Sequence, residues 1–300
     1  MDLTDEGSGT DQRDDAASVG RPGRSARLRG ELKRHPNLLV GSILAAVVVI
    51  LAVAGHIAPP HNPLAISPDH ALAPAGPGHW FGTDQFGRDV FSRVLDGLGT
   101  DVVIGLTVAV LAFAVGSMTG LVSGYLGGWF DDIIMRVVDI AMSFPPFLLA
   151  LSIAVVIGNT MRDVVIAVMI AYVPYIARLT RSTVLSVRGA DYVLGARAVG
   201  ASRARVMTLH VLPNAVGPSM VQATLMSGWA ILDVSGLSFL GVGIQPPSPE
   251  LGVQIAQGAS YITSGQWWIS VFPGVAIIVA VLAVNFLGDY ADDKLRGQGR

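Results

Sequence analysis

Residues 38–57 run for twenty positions without a charge, and only Ser42 and His56 are markedly polar side chains in the stretch. A helix rising 1.5 Å per residue needs about 20 mostly apolar residues to cross a ~30 Å hydrocarbon core. The run therefore reads as a membrane span. The tail before it is too long and too charged for a cleaved signal peptide, so the span is expected to be retained. Five further stretches qualify: 102–125, 137–157, 164–179, 214–232 and 268–287. The stretch 214–232 is the weakest by hydropathy, because Gly217, Pro218, Gln222, Thr224 and Ser227 interrupt it. Composition agrees: 51% of the residues are hydrophobic and 14% charged, against roughly a quarter charged in soluble domains. The expected fold class is an all-α integral membrane protein with six transmembrane helices.

Basic residues are retained on the cytoplasmic side of a membrane, which sets orientation. With the N-terminus inside, 17 of the 20 Lys and Arg fall on that side: seven in the tail, Arg136, six from Arg178 to Arg205, and three at the C-terminus. Arg88, Arg93 and Arg162 fall outside. An even number of spans with both N and C termini cytoplasmic follows as the expectation.

Several chemistries are excluded. The chain has no cysteine, so disulfides, thiolate catalysis, iron–sulfur clusters and cysteine zinc sites are all absent. Its two lysines, Lys33 and Lys294, do not follow a glycine, so there is no phosphate-binding loop for ATP. A net charge of −2 gives no basic field to recruit nucleic acid. No catalytic residue is expected, since His210, at a cytoplasmic membrane boundary, has no evident Ser, Asp or Glu partner. No metal site is expected either: His61, His70 and His79 recur at intervals of nine, which fit neither a single turn nor a strand. The six spans as bounded hold no mid-span acid or base, which disfavours a proton relay. A secondary transporter would also show internal repeats, and none is evident.

The chain divides into a polar tail (1–34), the first span with an external segment (35–98), a transmembrane domain of five helices (99–290), and a C-terminal tail (291–300). The tail's basic half suits anionic headgroups or a cytoplasmic partner. Ala112, Gly116, Gly120 and Gly124 recur every four residues, a stripe of small side chains that lets two helix backbones approach in lipid. Pro145 and Pro146 predict a kink or break. The segment 233–266 is external, apolar and Gly-rich, and is expected to pack as a half-hairpin. Gln222, Thr224 and Ser227 are candidates to line a pathway, with hydrogen bonding between helices as the alternative.

The cytoplasmic loop 181–213 carries five of the basic residues, with Arg178 just before it. Within it, residues 190–203 read as a short helix with small residues at its centre, a stop at Gly200 and arginines around it. Such a helix suits insertion into a groove of another protein; lying on lipid is the alternative. The run Tyr192-Val193-Leu194-Gly195-Ala196-Arg197-Ala198-Val199-Gly200-Ala201-Ser202, followed by His210-Val211-Leu212-Pro213-Asn214-Ala215, resembles the Glu-Ala-Ala loop of ABC importer permeases. Ala196, Gly200, Leu212 and Pro213 keep its spacing. Residues 82–93 (Gly-Thr-Asp-Gln-Phe-Gly-Arg-Asp-Val-Phe-Ser-Arg) and 237–247 (Leu-Ser-Phe-Leu-Gly-Val-Gly-Ile-Gln-Pro-Pro) are similar to the C-type permeases of dipeptide, oligopeptide and nickel importers.

The resemblance implies a type I ABC importer permease in a bacterial inner membrane. It also implies a heterodimer with a B-type permease, two cytoplasmic ATPases that hold the ATP and Mg, and an extracytoplasmic solute-binding protein. No cofactor is expected on this chain, and the cargo is expected to be peptides, with nickel or another small solute as the alternative. The loop residues expected to meet the ATPase are Leu194, Gly195, Ala196, Arg197, Gly200, Ala201, Ser202, Arg203, Arg205, Leu212 and Pro213. The family usually has Glu and Ala where Leu194 and Gly195 stand, so the polar contacts are expected from Arg197, Arg203 and Arg205.

Overall fold

The computed structural model describes residues 36–158 and 160–298, and among these it is helical, with no strand. The expected polar tail, residues 1–34, lies outside them. Among the described residues four helices are long and apolar enough to cross a membrane: α1 (Pro36–Ile57, the window beginning at Leu38), α2 (Val90–Leu126), α5 (Met161–Val187) and α9 (Trp268–Gln298, the window ending at Asp292). A fifth candidate is a bent pair, α3 (Gly128–Met142) and α4 (Pro146–Ile157), joined at an angle of 94°. The bend falls at Phe144-Pro145-Pro146, where two consecutive residues lack an N–H and cannot continue the hydrogen-bond ladder. The expected span 137–157 is thus two helices, broken at the prolines where a kink or break is expected.

α7 (Gly217–Phe239) is not among the membrane-crossing candidates by hydropathy. It packs against α2 and α9, and one face is buried along its length, from Ser219 and Val221 through Met226 and Ala230 to Leu237. A helix covered by protein can carry polar residues that a lipid-facing helix cannot. The helix continues seven residues past the expected end at Leu232, so residues 233–239, read as the start of the external segment, form its last turns and take Asp233 into it. The rest of that segment turns through 240–250 into α8 (Leu251–Ala259), whose Leu251, Gly252 and Val253 are buried. α9 likewise runs on through residues expected to be a C-terminal tail.

The core is built on the α2–α5 contact. A Cβ added at Gly116 would lie 2.6 Å from Ile176 Cβ, and one at Gly120 would lie 2.8 Å from the Arg181 backbone nitrogen. The stripe of small residues is therefore the surface on which α5 lies. Ile104, Val108, Ala112, Val168, Tyr172 and Ile176 continue this core, and Met226 and Ala230 of α7 close it.

At one end of α2 its N-cap, Asp89, accepts a hydrogen bond from Ser92 N. The segment before it is pinned by Asp84, which takes hydrogen bonds from the backbone N–H of Phe86 (2.8 Å) and Arg88 (3.0 Å) and pairs with Arg88 Nε at 2.6 Å. Arg88 Nη2 donates to Gln257 of α8 at 3.1 Å, and Trp268 Nε1 donates to Thr83 O at 3.1 Å. The motif at 82–93 is thus a knot joining the starts of α2 and α9 to α8. Glu250 caps α8 by accepting from Val253 N at 2.7 Å, and burial pushes its carboxyl up from its ordinary value.

Candidate functional site

The opposite end of α2 carries the loop singled out above. α5 continues to Val187, so seven residues expected in the loop, 181–187, belong to that helix, and the loop proper begins at Arg188. Ala190 opens α6 (Asp191–Ala198). Gly200 closes it with φ +84, the left-handed conformation that glycine adopts without a Cβ penalty. Gly200 N donates to Arg197 O at 3.0 Å and Ala201 N to Ala196 O at 3.1 Å. These two bonds are the paired closure that satisfies the last carbonyls of a helix. Ser202 then starts a second helical run, with Arg205 N donating to its Oγ at 3.4 Å. A π-turn over Val206–Val211 follows and leads into Leu212–Ala215. The wider turn falls directly ahead of Pro213, which has no N–H to give to the ladder.

α6 has two faces. Val193 is fully buried, in a cluster with Leu121 of α2, Val184 of α5, Val206, Val211 and Ala215, and Ala196, Ala201 and Leu212 pack on its edge. Burying one such valine stabilises the seat by about 1.5–3 kcal/mol. The guanidinium of Arg197 lies 4.9 Å from the centre of the Tyr125 ring, a cation–π contact to the end of α2. On the outer face Tyr192 and Leu194 are each about half exposed, Val199 is 85% exposed, and Gly195 has nothing within 4 Å of where a Cβ would stand. Arg203 and Arg205 are exposed. Beside them an open cleft of about 410 Å³ is lined by Tyr125, Leu126, Arg197, Ala201 and Arg203.

This sorts the loop residues. Ala196 and Ala201, expected to allow close seating in a partner, pack inward, and the small residue on the outward face is Gly195. Gly200 is required by helix termination. Arg197 is engaged with Tyr125, while Arg203 and Arg205 remain outward. Pro213 is exposed at the junction.

The other basic residues of this end fasten the helices to one another. Arg181 makes a bidentate pair with Asp131, at 2.6 and 2.5 Å, and Asp131 also accepts from Ser123. Arg188 Nη1 donates to Gly124 O at 2.8 Å, and Arg178 pairs with Asp139.

The pathway candidates fare differently. Ser227 Oγ donates to Thr224 O at 2.7 Å and Thr224 Oγ1 to Met220 O at 3.1 Å, so both hydroxyls bond within α7; Ser227 is buried and Gln222 half-buried. The polar groups that do bridge helices lie elsewhere. Tyr172 Oη of α5 donates to Asp233 of α7 at 2.7 Å, Thr180 and Ser219 hydroxyls meet at 2.7 Å, and buried Asp101 of α2 faces Ser235 of α7 at 3.4 Å. The expectation of no mid-span acid or base applies to the spans as bounded; Asp233 and Asp101 lie just outside those bounds, yet within the longer helices α7 and α2. The first lies one residue past the expected end of its span, the second one residue before the expected start of its own. The signal for Asp233 was Val234 and Leu237, which continue the apolar face of α7.

Residues 116–297 match the family described as binding-protein-dependent transport system inner membrane component. A putative peptide transport system permease protein of Brucella abortus is 42% identical over 264 residues, covering 88% of each chain. A probable D,D-dipeptide transport system permease protein of Escherichia coli is 38% identical over 283 residues, 93% of this chain and 95% of its own. A dipeptide transport system permease protein of Alkalihalophilus pseudofirmus is 36% identical over 265 residues, 88% and 87% of the two chains.

Proposed function

Because the chain belongs to the inner membrane components of binding-protein-dependent transport systems, we propose that it is a permease subunit of an ATP-driven peptide importer in a bacterial inner membrane. The observation that carries the mechanism is α6: a short helix seated on the ends of α2 and α5 by Val193 and Arg197, with Tyr192, Leu194, Gly195 and Val199 turned away from the chain. A cytoplasmic ATPase engages that outward face, and closure of the ATPases on ATP draws α6 with it. Because α6 is fastened to α2 and α5, its movement tilts both helices. The displacement has a direction only if α6 makes different contacts in the ATP-bound and nucleotide-free states. This chain carries no hydrolytic chemistry; ATP and Mg belong to the ATPases.

Six crossings with both termini cytoplasmic complete the reading. α1, α2, the bent α3–α4 pair, α5, α7 and α9 alternate in direction, and α7 is the crossing that lays one face along α2 and α9. A B-type permease supplies the other half of the pathway, and an extracytoplasmic binding protein delivers the peptide to the face formed by residues 58–89 and α8. Peptide is favoured over nickel by the names of the relatives.

The experiment is uptake into proteoliposomes containing the full complex of this chain, its permease partner and its ATPases, with the binding protein outside. Uptake of labelled di- and tripeptides that requires ATP hydrolysis is the expected result. Uptake that persists without the ATPases would make the protein a secondary transporter, and ATP-driven uptake of nickel but not peptide would reassign the cargo.

A further inference from the structure

The external segment holds a cluster that neither the permease role nor the family assigns. His61, His79 and Asp89 each present one ligand atom, and these three atoms lie within 4.8 Å of one another. The nine-residue spacing argues against a metal site only if the residues share one turn or strand. Here they come from three places in a folded loop: the residues just after α1, the turn before Trp80, and the N-cap of α2.

We propose that His61, His79 and Asp89 form a site for a divalent transition metal, zinc in the first instance, on the extracytoplasmic face. The ligand types fit that class. Imidazole suits Zn, Ni and Cu, and a single carboxylate offsets part of the charge, whereas Mg and Ca demand oxygen cages. With bonds of about 2.0–2.1 Å, the edges of a tetrahedral site are about 3.3 Å. Asp89 Oδ1 shares a hydrogen bond with His79 Nδ1 at 2.9 Å, and its other oxygen, Oδ2, stands 3.6 Å from His61 Nδ1; taken one ligand atom per residue the three lie within 4.8 Å of one another, so the two exposed rings close inward to reach those edges around an ion. The metal takes the lone pair of each imidazole nitrogen, and any proton on it leaves to solvent. The fourth position is open to water or to His70, whose ring centre is 5.8 Å from that of His79.

The outer shell is already in place. Asp89 is almost fully buried and its Oδ2 accepts from Ser92 N at 2.8 Å and Ser92 Oγ at 2.7 Å. Ser92 Oγ in turn accepts the backbone N–H of His61 at 3.0 Å. The carboxylate and the His61 backbone are thus held by one serine, the kind of support that orients a metal ligand. His61 and His79 keep 46% and 24% of their side chains exposed, so an ion can enter from solvent. A bound ion would tie residues 61–79 to the start of α2.

The test is equilibrium dialysis of zinc against the full complex, with this chain untagged and first stripped by chelator. The variants are His61→Asn, His79→Asn and the double variant, which leave the Asp89 cap intact; His56→Ala and His210→Ala serve as controls. One zinc per chain is expected. Each single variant should weaken binding by about tenfold or more, the double variant should retain none, and the controls should bind as wild type. Cobalt substitution should give the visible absorption of a four-coordinate site. The proposal is overturned if the wild-type complex retains no zinc, or if the double variant retains as much as wild type.

Discussion

Gly200 holds φ +84 with open space around it, so its side-chain position is limited by backbone conformation alone. A left-handed conformation costs a residue with a Cβ about 1–2 kcal/mol. Gly200→Ala should therefore loosen the closure of α6 without introducing a clash. The readout is amide hydrogen exchange over residues 191–201, where protection should fall by about tenfold for each 1.4 kcal/mol lost while the α2–α5 core is unchanged. Unchanged protection would mean that α6 does not depend on this cap. Gly195 is the converse case: it too faces open space but has ordinary helical backbone, so it is restricted only by whatever docks against it.

Among the helices, the α2–α5 pair should respond most steeply to side-chain size. The backbone of α5 lies against Gly120, so Gly120→Val has no room and should destabilise by about 1–3 kcal/mol, the range for overpacking, read as a lower unfolding temperature of the purified protein. Ala114→Val at a neighbouring turn is the comparison; equal effects of the two would mean that close approach along the stripe is not what holds the pair. That stripe was legible because four-residue spacing of small side chains has one physical use in lipid. The break at Pro145–Pro146 and the stop at Gly200 were legible for the same kind of reason, since each follows from one residue's backbone chemistry. The end of α7 was not. Hydropathy averages over every face of a helix, and α7 turns one face with several polar side chains toward its neighbours, so Asp233 looked like a boundary when it is an internal residue bonded to Tyr172. The His61–His79–Asp89 cluster was hidden differently: its spacing carries no signal because a loop, held by Asp84 and Thr83, sets the distances.

Taken whole, the molecule separates two kinds of surface by the length of α2. Its 37 residues extend about 55 Å at 1.5 Å per residue. At one end lies the ion-paired and histidine-rich knot of residues 61–93; at the other, α6 with its outward apolar face. On the proposed reading ATP is hydrolysed by partner subunits, so the energy for moving peptide enters through contacts at the α6 end and is carried by helices that move as packed bodies. The most direct measurement of that claim is ATP-driven peptide uptake by the reconstituted complex carrying Gly195→Trp. The site is open in this chain, so the bulky side chain meets only the partner. The chain should still insert and fold, the ATPases should no longer co-purify with it, and uptake should fall to the level without ATP. Wild-type uptake with the tryptophan in place would contradict that claim.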